Sequence, residues 1–281
     1  MGKNVKKQQI KKLFKNPKRT LKKGLWVSGF EGEGWFRAWH GNGRLAREQY
    51  YKNGQKEGTY REWYPNGKLA VVAETKNDEL NGKFTTWYEN GQLHSIAHYK
   101  DGLLHGKSKV WYPNGRLAEE ATYKNNGCEG EYREYHWPSG NIDTVSHYKN
   151  NLLNGPCEQW YDNGQLAEKC YYKNGKKNGK STMWHENGQL KQIAYYKDDE
   201  LDGIFKKWDQ NGNLVMIGKF TNDKNGNRGK MKTFYENGKP EEEYSHNESG
   251  ELDGEYKKWD KNGKLIKHAI YKNGKEVKRL I

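Results

Sequence analysis

The chain has 281 residues, of which 32% are hydrophobic, yet it carries 20 Tyr and 11 Trp. So few aliphatic residues exclude a thick dry core, while so many aromatics exclude a disordered chain and predict packed aromatic ribs. The formal net charge is +14, and three cysteines are too few for a disulfide framework.

Residues 1–24 hold nine Lys and Arg19 without an acid, which is ten of the fourteen net charges. Ile10, Leu13 and Phe14 fall at helical spacing ahead of Pro17, but a helix this short is marginal in water without a partner. A solvated basic tail is expected at 1–24, followed by one repeat array over 25–281. Lys6, Lys7, Lys11, Lys12, Lys15, Lys18, Arg19, Lys22 and Lys23 are the candidates for holding an anionic surface, either nucleic acid or acidic lipid. No secretory h-region follows them, and no apolar run in the sequence reaches membrane-spanning length. An intracellular, cytoplasmic location is the expectation.

From Gly34 onward two glycine series count ten units. One runs Gly34, Gly58, Gly82 and on to Gly254, and the other runs Gly43, Gly67, Gly91 and on to Gly263. Both step mostly by 24 residues, the signature of a repeat array. Five residues after each opening glycine comes an aromatic, as in Trp63, Trp87, Trp111, Trp160, Trp184 and Trp208. Two residues after the second glycine comes Leu69, Leu93 or its equivalent, and Pro240 is the one breach.

Each unit reads as a β-hairpin, because alternating aromatic and charged residues flank an Asn-Gly pair. Pro65, Pro113 and Pro138 precede the hairpin glycine by two residues. That placement favours a three-residue loop, a type I turn followed by Gly in the left-handed region. In this register Trp63 faces Leu69 on one side with Val71 and Ala73, and Tyr60 and Tyr64 point to the other. The small slot at Ala73, Ala97 and Ala121 then makes room for the indoles. The same register sends Cys157 and Cys170 to opposite faces, as free thiols. Some twenty strands about 4.8 Å apart predict an all-β, elongated, single-layer antiparallel sheet about 95 Å long, solenoid-like and twisted.

The pattern Gly-x-Tyr-x-x-Trp-Tyr-x-Asn-Gly-x-Leu, with Tyr172-Lys173-Asn174-Gly175 after it, resembles the MORN-repeat variant family over roughly residues 25–281. The resemblance implies elongated sheets of stacked hairpins, and members labelled antitoxin-like. It implies no catalytic residues.

The residues themselves point the same way. His94 and His98 would lie about 13 Å apart on one strand, too far to share a metal ion. His40, His136 and His185 stand where other units have Tyr64, Tyr88 or Tyr112. No serine sits in a nucleophile elbow, and no glycine loop follows a phosphate-binding pattern. The reading is a non-enzymatic scaffold without cofactor or metal, binding a protein partner along one sheet face. Tyr64, Tyr88, Tyr112 and Tyr161 are its candidate contacts, since Tyr joins apolar area to a hydroxyl. Binding of nucleic acid or anionic membrane through the tail is the alternative, and self-association stays open.

Overall fold

The computed structural model describes residues 26–28, 32–223 and 226–281, so the basic tail lies outside the described residues. The chain divides into two compact units, residues 1–102 and 103–281. The first contains the strands Trp26–Ser28, Gly34–Trp39, Leu45–Lys52, Gln55–Trp63, Leu69–Lys76, Glu79–Trp87 and Leu93–Lys100. Each is antiparallel to its neighbours in the chain. The second unit opens with Leu103–Leu104 and Gly106–Trp111 and ends with Leu265–Lys272 and Lys275–Arg279. Its pairings are antiparallel throughout, with Lys176–Lys177 and Gly179–Trp184 sharing one partner strand, as do Glu200–Leu201 and Gly203–Trp208. Among the described residues no pairing joins the first and last strands of either unit, so both sheets are open and neither is a barrel.

The hairpin loop has three residues, as the prolines predict. Gly67 donates its N–H to the Tyr64 carbonyl and Tyr64 donates to the Lys68 carbonyl, both at 2.8 Å. Pro65 takes the first central position, and Gly67 sits at φ 88°. The connectors between hairpins turn more tightly. Lys52 pairs directly with Gln55, and the two residues between them, Asn53 and Gly54, have φ of 51° and 76°. Two positive φ angles in a two-residue loop make a type I′ turn, whose twist suits antiparallel strands.

The register beyond the loop corrects the sequence reading. Trp63 does pair with Leu69, but a bulge follows, and Glu62 pairs with Val71 and Tyr60 with Ala73. The extra residue, Ala70, restores the parity that the three-residue loop had shifted. Val71 and Ala73 therefore share a face with Tyr60, not with Trp63. The small slot makes room for the Tyr60 and Phe84 rings and not for the indoles. Ala73 is fully buried and Tyr60 is 5% exposed. For the same reason Cys157 stands directly across from Cys170. Both are buried free thiols.

A second irregularity explains the opening glycines. Ala73 pairs with Phe84 and Thr75 with Leu80, so Asn81, Gly82 and Lys83 oppose Glu74 alone. Gly82 absorbs the excess at φ 118°, where a Cβ would come within 1.8 Å of a Glu74 carboxylate oxygen. Only glycine takes that path without strain.

In each unit the core is a row of rings on one face of its sheet. Phe84 meets Tyr99, Tyr132 meets Tyr148, Phe205 meets Phe220 and Tyr256 meets Tyr271, edge to face at 5.7–6.1 Å between centres. Such edge-to-face pairs contribute about 0.5–1.5 kcal/mol beyond area burial, which suits a sheet with few aliphatic side chains. The other face carries ion pairs across the strands. Glu48 binds Arg37 and Arg61, Glu120 binds Lys109 and Arg133, and Glu243 binds Lys230 and Lys232.

Candidate interaction surface

The Tyr row lies at the hairpin turns, one residue beyond the strand that ends in Trp. Tyr64, Tyr88, Tyr112 and Tyr161 are all half-buried. Three of them share one use of the hydroxyl. Tyr64 Oη donates to the Trp87 carbonyl at 2.7 Å, Tyr112 Oη to the Tyr135 carbonyl at 2.5 Å, and Tyr161 Oη to the Trp184 carbonyl at 2.9 Å. Tyr235 repeats the contact with the Trp259 carbonyl at 2.8 Å. Each hydroxyl thus latches its hairpin to the next one. Tyr88 packs against His94 with the rings tilted by 46° and 4.5 Å between their centres. The exposed Trp137 stands edge-on to Tyr112 at 5.0 Å.

The histidines in this slot make the same latch, which explains why they interchange with Tyr. The Nε2 atoms of His40, His136 and His185 lie 2.8, 2.8 and 3.1 Å from the carbonyls of Trp63, Trp160 and Trp208. Since a carbonyl only accepts, each Nε2 carries the proton. Shorter residues in the slot cannot reach. Asp209 turns its carboxylate back on the N–H groups of Asn211 and Asn213 in its own loop. Those hydrogen bonds, the Asn213 side-chain amide first, hold its carboxyl below the usual range.

The asparagine of Asn-Gly has a second role that the turn alone does not suggest. Asn66 Oδ1 accepts from Lys68 N within its turn, while Nδ2 donates to the Glu89 carbonyl of the next turn at 3.0 Å. Asn163 and Asn187 reach the carbonyls of Glu186 and Gln210 in the same manner. Aspartate would satisfy the turn but lacks the donor for the neighbour, so an Asn preference was the available sequence signal.

Burial raises the pKa of the Tyr64 and Tyr112 hydroxyls, and nearby carboxylates raise them further. Both remain protonated donors at neutral pH. On the opposite sheet face, the hydrogen bond from Lys109 holds the Glu120 carboxyl low, and the one from Lys230 does so for Glu243.

The anionic-surface candidates Lys6 to Lys23 lie outside the described residues. Among the described residues, no group of three His, Cys, Asp or Glu side chains is placed to hold a metal ion. No helix there is long and apolar enough to cross a membrane.

A family model described as MORN repeat variant matches residues 56–77, 80–101, 104–125, 153–174, 177–198, 201–222, 228–248 and 252–273, more than half of the chain. The stretch 126–152 falls between matches, and it is there that Ser139 replaces the Asn that precedes the hairpin glycine in the other units. No curated protein matches the chain significantly. Among matching solved structures is one titled "Crystal Structure of TcdB2-TccC3-TEV", aligned over 88% of this chain at 12% identity and a TM-score of 0.20. The present chain spans 18% of that protein's length. A likeness at this level carries no argument about function.

Proposed function

This chain belongs to the MORN repeat variant family, and on that premise we propose that it is a non-enzymatic scaffold binding a protein partner along one face of its hairpin sheet. The observation that supports this reading is the Tyr row. Three of its rings are half-exposed and fixed by hydroxyl latches at 2.5–2.9 Å, so they offer contact area whose conformational entropy is already spent. Large preorganised aromatics are the side chains that most often dominate protein interfaces. Tyr64, Tyr88, Tyr112 and Tyr161 are the proposed contacts, the site of action is the cytoplasm, and an antitoxin-like neutralisation of a harmful protein would be one form of it. The tail 1–24 is a separate module in this proposal and is not required for the partner.

The experiment is affinity capture with the full chain and with a variant lacking residues 1–24, followed by binding measurements with the purified partner. Retention by the truncated protein, with loss on Tyr88→Ser plus Tyr112→Ser, is the expected outcome. Loss on truncation with normal binding by the Tyr variant would overturn it. Capture of the chain itself would make the partner a second copy.

A further inference from the structure

The ion pairs of the charged face run as far as Glu158–Lys169, at 2.7 Å, and stop in the same row from Thr182 to Ile217. In the second unit Glu120 neutralises a cation on either side, as Glu48 does with Arg37 and Arg61 in the first unit, and Glu243 neutralises Lys230 and Lys232 of one neighbouring strand. The equivalent slot holds an aliphatic side chain at Val72 and Ile96 in the first unit and at Val145, Ile193 and Ile217 in the second. The register runs Lys169, Thr182, Ile193, Lys206, Ile217 across five successive strands. Lys206 therefore lies between two isoleucines, with no carboxylate beside it. In the adjacent row Pro156 pairs with Tyr171, Lys180 with Tyr195 and Ile204 with Lys219. Tyr171, Tyr195 and Ile204 are 47%, 38% and 48% exposed. Among the described residues Lys180, Lys206 and Lys219 take part in no ion pair.

These rows place exposed rings and aliphatic side chains in alternation with unpaired ammonium groups on one sheet face. Clustered exposed apolar residues rimmed by charge are a mark of interaction sites, whereas scattered ones need no explanation. Val72, Ile96 and Val145 fill the same slot in other units, so what sets this stretch apart is its adjoining row, where exposed Tyr171, Tyr195 and Ile204 stand beside lysines that have no carboxylate and make a positive field over an apolar floor. We propose that the surface built by Tyr171, Tyr195, Ile204, Lys180, Lys206 and Lys219 docks an acidic protein segment that alternates carboxylates with large apolar side chains. The carboxylates meet the ammonium groups and the apolar side chains cover the Tyr and Ile side chains, a complementarity that sets register as well as encounter. The proposal rests on the scaffold reading but uses a surface separate from the Tyr row at the turns.

The test is fluorescence anisotropy with the full chain and a labelled ten-residue probe alternating Glu with Leu and Trp. Saturable binding that weakens with salt is expected, as is at least a tenfold loss for Lys180→Glu plus Lys206→Glu. Tyr195→Ser plus Ile204→Ser should give a comparable loss, while Lys83→Glu and the Tyr88/Tyr112 variant should bind normally. Thermal melts of every variant establish that the sheet persists. Absence of saturable binding overturns the proposal, as does equal binding of a probe with Lys in place of Glu. Equal loss with Lys83→Glu overturns it too, by showing a non-specific charge effect. Attachment of phosphatidylserine vesicles through the same residues, without competition by the peptide, would reassign the surface to lipid. Loss only in the Tyr88/Tyr112 variant would leave the scaffold reading standing and remove this surface from it.

Discussion

Replacing Tyr161 by Phe removes one hydroxyl and nothing else from the latch between neighbouring hairpins. The bond it breaks, Tyr161 Oη to the Trp184 carbonyl at 2.9 Å, is part-buried. A neutral hydrogen bond contributes about 0.5–1.5 kcal/mol net, and water can partly replace this donor at a half-exposed site. The expected cost is therefore about 0.5–1 kcal/mol, or roughly 2 °C in the thermal midpoint. Tyr161→His should recover most of that loss, since His136 and His185 hold the equivalent carbonyls at 2.8 and 3.1 Å. Tyr161→Ser should cost more, about 2 kcal/mol, because the packing of a half-buried ring is lost with the donor. Denaturant unfolding at neutral pH gives the order wild type, His, Phe, Ser. Amide exchange should locate the Phe effect around residues 160–185, since coupling in an array runs mainly between neighbouring repeats. A Phe variant as stable as wild type, or a His variant no better than Phe, would refute the latch as a source of stability.

Ala194 is fully buried in the small slot, so Ala194→Leu should overpack the rib and cost about 1–3 kcal/mol in denaturant unfolding. Gly82→Ala must fit a Cβ within 1.8 Å of Glu74 at φ 118°, whereas Gly164→Ala at φ 83° meets nothing within 4 Å. The first should destabilise by clearly more than the roughly 1 kcal/mol of backbone strain expected of the second. Cys157 and Cys170 are buried, so a thiol-specific reagent should modify them only at the rate of unfolding or local opening. The hydrogen bond to Cys157 and burial push the Cys170 thiol up, which slows its reaction further. The Glu120 and Glu243 carboxyls titrate below their ordinary values, so their stabilisation is present above the ordinary carboxylate range and fades as pH falls through the lowered values. Thermal midpoints should stay flat from neutral pH to about pH 5 and then drop, and Glu120→Gln plus Glu243→Gln should shallow the drop.

The sequence made the repeat period, the hairpins and the three-residue loop legible because each has a local cause. Glycine is needed where φ is positive, and proline suits the first position of a type I turn. The face assignment failed at Ala70, since a bulge residue carries no obligatory type and one extra residue reverses parity for everything beyond it. Cys157 and Cys170 were misplaced through the equivalent bulge at Ala167. The Tyr slot was visible, yet its hydroxyl latch was not, because the acceptor is a backbone carbonyl about 23 residues away in the chain. The shared presence of Tyr and His in one slot was the clue. Both carry a donor at the far end of a ring, and Asp209, which does not, folds back on its own loop.

This division has a consequence for where function can reside. A residue that recurs in every unit is accounted for by what every unit must do, which is to turn, fill the rib and hold its neighbour. Asn66 illustrates it, with one end of its amide serving its own turn and the other the next. Recognition of a particular partner requires positions that differ between units, because an exact repeat offers the same surface at every register and selects none. On the charged face the slot of Glu120 and Glu243 is such a position, filled by Val72, Ile96, Val145, Ile193 and Ile217 in other units, and beside the last two the adjoining row exposes Tyr195 and Ile204. Forgoing a carboxylate there leaves Lys206 unneutralised and gains the sheet no ion pair. The loss to the isolated fold is small, since exposed ion pairs contribute about 0–1 kcal/mol. The same lysine against an incoming carboxylate, desolvated beside Tyr195 and Ile204, would contribute more than it could at the open surface.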